Sequence, residues 1–335
     1  MYEYNQKVKV LIFRKKVYIM DEQVMVSVIC STYNHEKFIR DALDGFVMQK
    51  TNFVYEILVH DDASTDGTAD IIREYEAEYP DLIKPIYQTE NQYSKKAGLV
   101  GKIQRDRAKG KYVAICEGDD YWTDPLKLQK QYDAMESNPE IDICAHRADC
   151  VTEFDKRYIS TIAPANCDTI LTPEQVIMGG GNYVATDSLF FRVSLYSNMP
   201  EFRKKYSFDY TLQIHGSLRG GMLYLNDAMS CYRIRRSGSW TSGTMKDKQK
   251  RIDSWNGTIK LRNILNQETG YIYDEAIKKA DMQAEFMIMK ISGKRRALRN
   301  HPYYATFSAK QKISLFIELY CPIIFKLRNR VKGKL

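Results

Sequence analysis

Three polar clusters carry the residues able to do chemistry. They are Ser31-Thr32-Tyr33-Asn34, Asp61-Asp62-Ala63-Ser64-Thr65-Asp66-Gly67 and Glu117-Gly118-Asp119-Asp120-Tyr121-Trp122. Adjacent carboxylates such as Asp119 and Asp120 repel each other unless a cation or hydrogen-bond donors compensate. Hard divalent ions take such oxygens together with substrate phosphates. Taken alone, the third cluster fits equally a solvent-exposed turn ahead of a helix near Pro125. In the second, Asp62-x-Ser64-x-Asp66-Gly67 imitates a calcium loop, but its twelfth position is Arg73 where a bidentate Glu is required, which excludes calcium. Ser64 and Asp66 are accounted for by a turn that caps the next helix; Asp61 and Asp62 are not.

Each cluster follows a short apolar run. Val26–Cys30, Tyr55–His60 and Tyr112–Cys116 read as strands buried on both faces, with further strands at Leu82–Tyr87 and Ile141–Ala145. Helical spacing occupies Phe38–Met48, Thr68–Tyr79, Gly98–Ala108 and Pro125–Ser137. The alternation predicts an α/β fold, a mostly parallel sheet flanked by helices. In such sheets ligands bind beyond the carboxyl ends of strands, so all three clusters belong to one rim. Beyond residue 150 the rhythm loosens. Strands are expected at Leu189–Val193 and Met222–Leu225, with a helix over Phe208–Leu218 between them. A mobile loop is expected over Arg233–Lys250, then helices over 251–292 with a break near Thr269-Gly270.

With 335 residues, 44% hydrophobic and 27% charged, the chain is long enough to bury a core and too apolar for wholesale disorder. No apolar run reaches the roughly 18 residues of a membrane span. The seven scattered cysteines form no CxxC pair, which argues for a reducing, cytoplasmic setting and against zinc or a disulfide framework. The five histidines show no zinc-enzyme spacing. Gly179-Gly180-Gly181 follows no clear strand, which disfavours a dinucleotide oxidoreductase. The net charge of +8 is uneven: residues 290–335 hold twelve Lys/Arg against Glu318, residues 1–20 are net +4, and the middle is net −7. Basic ends on an acidic body do not make a nucleic-acid groove; they suit an anionic membrane surface. Residues 1–23 read as an N-terminal extension, with Met20 and Met25 as internal alternatives for the start.

VSVICSTYNHEKFIRDAL, EILVHDDASTDGTADII and GKYVAICEGDDYWTDPLKLQKQ, in that order, resemble the family 2 glycosyltransferases of GT-A fold. The likeness is strong over residues 24–150 and weaker over 180–240. It implies that the chain moves a sugar from a nucleotide sugar, most often UDP-linked, to a hydroxyl by single displacement with inversion. By resemblance, Ser31, Tyr33, Asp61, Asp62 and Asp119 line the nucleotide site. Asp120, with Asp119, holds Mn2+ or Mg2+. Asp209, in Tyr206–Leu212, is the base that takes the acceptor's proton, although Phe208 stands where many members have an acid. Asp alternatively favours a helix N-cap there. Arg233 and Arg235 fall in the family's late loop; Arg235 replaces a histidine that in some members approaches the metal. Arg233, Arg235, Asp187 and Trp122 are candidate diphosphate or acceptor contacts.

The basic tail from Ala309 onward has apolar Ile313, Phe316, Ile317 and Tyr320 at helical spacing, too short to span a bilayer but suited to lying in its interface, or alternatively to packing on the catalytic domain with the charged end in solvent. Such a placement suits a glycan or lipid-linked acceptor. The expected organisation is an extension over 1–23, a GT-A domain over 24–245, and a helical basic extension over 246–335 in contact with a membrane surface. Two rivals stand beside it. One is a nucleotidyltransferase, which would want a Gly-rich basic loop after the first strand; STYNHEK has no glycine. The other is a non-catalytic module that binds glycans or membranes on the same fold.

Overall fold

The structure is a computed structural model that describes residues 10–13, 16–19, 23–96, 98–206, 208–234, 247–321 and 323. Among the described residues, strands β1 (Val10–Phe13) and β2 (Lys16–Ile19) pair with each other, antiparallel, as a separate two-stranded sheet. The remaining ten strands form one sheet. Its first half alternates as the sequence predicts: β3 (Val24–Thr32), α1 (Ile39–Val47), β4 (Val54–Asp61), α2 (Thr68–Glu78), β5 (Ile86–Tyr87), the one-turn α3 (Gln92–Lys95), α4 (Leu99–Arg107) and β6 (Tyr112–Ile115). Here β5, β4, β3 and β6 lie side by side and parallel. Parallel strands covered on both faces need continuous apolar runs, and Val26, Val28, Cys30, Ile57, Val59 and Ala114 are fully buried. Ser27 is one of the buried polar exceptions, with Glu56 and His60. Its hydroxyl donates to Glu56 at 2.7 Å and accepts the Gly110 amide at 2.9 Å, tying β3, β4 and the turn before β6 together.

The second half departs from simple alternation. After β7 (Tyr121–Trp122) and α5 (Lys127–Glu136) comes β8 (Ile143–Val151), then β9 (Tyr158–Ile162), β10 (Thr169–Leu171), α6 (Pro173–Gly179) and a 3-10 turn at Thr186–Ser188. Next are β11 (Phe190–Arg192), α7 (Glu201–Lys205), α8 (Asp209–Ser217) and β12 (Met222–Arg233). β11 enters antiparallel between β6 and β8, with Phe190 opposite both Ala114 and Cys144. β12 runs parallel to β8 and is far longer than the apolar stretch Met222–Leu225 implied. Asn226 and Asp227 interrupt that stretch, and the register shifts there before pairing resumes at Ala228 and Ser230. Of the loop expected over Arg233–Lys250, Arg233 is instead the buried end of this strand, residues 235–246 lie outside the described residues, and Lys248–Lys250 open the next helix. The triple glycine follows α6, not a strand.

Helices Lys248–Glu268 and Asp274–Ile291 follow, broken at 269–273 close to the predicted break. Their Leu261, Leu265, Ala276, Ile277 and Ala280 join the cluster that holds Val113, Ile143 and Tyr224. A smaller cluster of Phe286, Leu298 and Leu315 seats the last described helix, Ala309–Tyr320. α1 meets β7 at backbone distance: a Cβ on Gly45 would stand 2.9 Å from the amide and carbonyl atoms of Trp122. That contact presses α1 against the segment just after Asp120. All seven cysteines are free, and no helix among the described residues is long and apolar enough to cross a membrane.

Candidate active site

The carboxyl ends of β3, β4 and β6 bring the three clusters together. Thr32 sits opposite Asp61, and the Asp62 amide donates to the Thr32 carbonyl at 2.9 Å. The Cys116 amide donates to Ile29 at 3.1 Å and the Gly118 amide to Ser31 at 3.0 Å. Gly118 lies so close that a Cβ there would meet the Thr32 hydroxyl at 2.8 Å and His35 Nδ1 at 3.0 Å. Ser31 is half-buried and Tyr33 is 44% exposed, so its ring is available to a flat ligand at this rim.

The second cluster divides its labour. Asp66 Oδ1 accepts the Thr68 amide at 3.0 Å in an Asx-type turn before α2, and Ser64 donates to Asp61 at 2.5 Å; the turn is present, but α2 is capped at Gly67 with no side-chain bond, so neither residue is its cap. Burial raises the pKa of Asp61 against those Ser64 bonds. Asp62 is buried and receives the amides of Gln92 at 2.7 Å and Tyr93 at 3.0 Å, with His60 Nε2 at 3.3 Å. Both Asp62 oxygens thus already hold the α3 turn, and a nucleotide base has only their remaining lone pairs.

The third cluster is closed from below by β12. β7 pairs with β12 through Trp122 opposite Ser230 and Tyr121 opposite Cys231. The amide of Arg233 donates to Asp120 Oδ1 at 2.6 Å, and its guanidinium donates to the Asp119 carbonyl at 2.6 Å. The same guanidinium pairs with Asp41 and lies 4.5 Å from the centre of the Tyr121 ring. Arg233 is consequently an internal strut of the acidic turn and not an exposed basic residue: both Nη atoms are engaged by the chain and its Nε is buried without a partner. Asp119 stands 3.9 Å from His35. Arg235 lies outside the described residues.

Asp120 is 2% exposed and its pKa is held well above the usual carboxylate range, first by burial, then by Asp119 and Asp187. Asp187 is fully buried, and neither of its oxygens has a hydrogen-bond partner of sound geometry. Burial pushes its pKa up to about 6, against the pull of Ser230 and Lys127. Orphaned carboxylate oxygens beside two further acids are costly unless something positive is placed among them. No three His, Cys, Asp or Glu side chains converge as a cage among the described residues. Asp119 and Asp120 are the residues that could serve an ion which takes one or two carboxylates and completes its shell with phosphate oxygens and water, as Mg2+ does.

Two sequence expectations change here. Trp122 does not face the cleft: it is 2% exposed, packs edge-on against Phe46 at 4.8 Å, and donates its indole N–H to the Asp187 carbonyl at 3.0 Å. Asp209 opens α8 without acting as its side-chain cap. Its carboxylate instead accepts the Thr186 hydroxyl at 2.5 Å, one residue before Asp187. Asp209 keeps solvent access, and crowding of its carboxyl by the protein lifts its pKa against that bond. Asp41, Lys127, Gln131 and Thr186 were not singled out from sequence. Nothing in a helix such as KLQKQYDAME distinguishes a buried lysine from a solvated one.

The raised carboxyls give a pH prediction for the metal-free protein. A carboxyl whose folded pKa exceeds its unfolded value supports stability below the unfolded value, and that support is lost as pH rises through the folded one. Between an ordinary value of about 4 and the Asp187 value of about 6, stability should fall. Asp187→Asn should remove part of that fall: in chelator its melting temperature should exceed the parent's at pH 7.5 and converge with it near pH 4. Parallel melting curves across that range would show that Asp187 ionises without penalty.

Residues 27–205 match the family described as "Glycosyl transferase family 2". An uncharacterized protein of Mycobacterium tuberculosis (strain H37Rv) is 29% identical over 304 residues, covering 86% of this chain and 83% of that one. A putative teichuronic acid biosynthesis glycosyltransferase of Bacillus subtilis is 36% identical over 111 residues, 33% of this chain and 42% of the relative. Among solved structures, Staphylococcus aureus TarS 1–349 in complex with UDP-GlcNAc superposes with a TM-score of 0.55 at 16% identity, covering 93% of this chain and 84% of that one. A Pyrobaculum calidifontis mannosyltransferase in complex with GDP-Man and Mn2+ gives 0.54 at 15% identity, covering 96% and 88%. At such identities the superpositions speak for the fold, a GT-A-type α/β sheet with helices after it. The family match spans more than half of the chain, and its three ordered motifs meet at one rim: the chain belongs to glycosyl transferase family 2 and is a glycosyltransferase.

Proposed function

We propose that this chain transfers a sugar from a nucleoside-diphosphate sugar, UDP-linked by the family resemblance, to a hydroxyl of a glycan or lipid-linked acceptor, with inversion and with help from Mn2+ or Mg2+. The observation that carries the reading is the acidic centre of buried Asp120 and Asp187 with half-buried Asp119, beside the rim formed by Ser31, Tyr33 and Asp62. The UDP-GlcNAc and GDP-Man named with the two structural neighbours support the donor class, and the teichuronic acid relative supports a polysaccharide acceptor.

Asp120, with Asp119, would hold the divalent ion. Such an ion, when bound, neutralises the charge that gathers on the departing diphosphate. Tyr33 packs on the base, and Ser31, Asp61 and Asp62 border the nucleotide. Arg233 does not reach the diphosphate; it fixes the acidic turn from behind. Asp209 takes the proton of the attacking hydroxyl. A carboxyl with a raised pKa is a better proton acceptor in its ionised form, and the Thr186 hydroxyl aims one oxygen while the other stays available. Inversion follows if the acceptor attacks opposite the leaving diphosphate in a single displacement.

Ligands that bind the native state raise its melting temperature. In a panel of nucleotide sugars with and without Mn2+, a UDP-sugar should raise it most, and only with the ion present. Equal shifts with and without Mn2+ would separate nucleotide binding from the acidic centre. No shift with any nucleotide sugar would favour the rival non-catalytic module.

We also propose the division into an extension over 1–23, a GT-A domain over 24–245 and a helical extension over 246–335, with the last part resting on the inner face of an anionic membrane. On the Ala309–Tyr320 helix, Ile313, Phe316 and Tyr320 are exposed, and Ile323 beyond it is 74% exposed. Arg295 and Arg299 lie over the Tyr320 ring at 5.7 and 6.0 Å, so apolar and basic groups share one surface. The later basic residues of the tail lie outside the described residues. Co-sedimentation with vesicles containing phosphatidylserine should be strong at low salt, and the pair Ile313→Glu and Phe316→Glu should reduce it about tenfold. Undiminished binding by that double variant would remove this helix from the contact.

A further inference from the structure

Behind the acidic centre lies a lysine that the chemistry above does not use. Lys127 is fully buried at the start of α5, with its ammonium 2.7 Å from Gln131 Oε1 and 4.0 Å from the centre of the Trp122 ring. A buried ammonium is expensive unless it is paired or hydrogen-bonded, and an aromatic face repays only part of that cost. A methionine would fill a similar space without the penalty, so packing alone does not account for a charge here.

The neighbours of Lys127 share one target. Gln131, which accepts from Lys127, donates its amide N–H to the Ser188 carbonyl at 2.9 Å. Trp122, on whose face the ammonium sits, donates to the Asp187 carbonyl at 3.0 Å. Both bonds grip the Thr186–Ser188 turn. That turn carries the orphaned Asp187 carboxylate and, through Thr186, holds Asp209. The Trp122 ring thus stands between the ammonium and the Asp187 residue, with Lys127 on its face and the Asp187 carbonyl at its indole N–H.

We propose that Lys127 is a positioning residue: its buried ammonium is the counter-charge of Asp187 and, through Gln131 and Trp122, fixes the turn that presents Thr186 to Asp209. The part that concerns turnover rests on the reading of Asp209 as the proton acceptor; the charge balance does not.

The test is a double-mutant cycle of Lys127→Met and Asp187→Asn, followed by thermal melting in chelator at pH 7.5 and by transfer kinetics with the ion restored. Removing one partner of a balanced pair strands the other, so Asp187→Asn should raise the melting temperature more in the Lys127→Met background than in the parent. Folded Lys127→Met should lose at least tenfold in kcat while the donor KM stays within about threefold, and restored melting in the double variant should not restore kcat. Additive melting shifts, or unchanged kcat in folded Lys127→Met, would overturn the proposal. If Lys127→Met does not fold, the double variant should; failure of both also overturns it. Full activity in Asp209→Asn would instead sink the reading of Asp209 and leave the melting cycle as it stands.

Discussion

Asp120→Ala is expected to lose divalent-dependent sugar transfer by about a thousandfold while the protein stays folded. The magnitude follows from the several kcal/mol that a bound ion contributes to charge developing on a leaving group; about 4 kcal/mol is about a thousandfold in rate. The fold should survive because Asp120 is a liability in the metal-free protein: it is buried, it is crowded by Asp119 and Asp187, and its protonation is favoured. What alanine removes structurally is one acceptor for the Arg233 amide, and Arg233 keeps its bonds to the Asp119 carbonyl and Asp41. The measurement is steady-state transfer with Mn2+ added or chelated, beside a melting curve. The parent should respond to chelator and the variant should not. Turnover by Asp120→Ala in excess chelator at the parental rate would refute the metal role, and loss of the melting transition would show that Asp120 supports the fold.

Asp209→Asn carries the second large effect. Positioned general bases contribute about 100- to 10,000-fold, and asparagine keeps the size and the Thr186 contact while it cannot accept a proton from the acceptor hydroxyl. Transfer should fall within that range. The manganese-dependent thermal shift with nucleotide sugar should be unchanged, because Asp209 opens α8 and the acidic turn that would hold the ion is made by β6, β7 and β12. If donor binding falls in step with turnover, Asp209 belongs to the donor site and another group takes the proton.

The parallel half of the sheet was legible because β3, β4 and β6 are mainly apolar runs and helices with their own boundary signals alternate with them. Val26–Cys30 and Tyr112–Cys116 could be read directly, and so could the polar residues that follow them. The half beyond residue 150 was legible only in part: the strand at Leu189–Val193, the helix over Phe208–Leu218 and the later helices are present, but its other strands do not announce themselves. β9 and β10 are short and half-exposed, and β12 hides its length behind a bulge at Asn226-Asp227. That bulge is why Arg233 read as part of a loop. The acids of the site were visible as types and spacings, but their partners were not. The Asp62 bonds to Gln92 and Tyr93, the Arg233 bond to Asp41 and the Lys127 contact with Trp122 join residues far apart in the chain. Trp122, two residues after Asp120, is turned inward by its packing on Phe46 and its indole bond to the Asp187 carbonyl, partners the sequence does not show.

A crystal of the protein grown with Mn2+ and the nucleotide selected by the thermal-shift panel tests the account at its centre. Anomalous scattering should place the ion within about 2.0–2.6 Å of an Asp120 carboxylate oxygen and of a diphosphate oxygen. A well-ordered nucleotide at this rim with the manganese signal elsewhere, or with none, would contradict it.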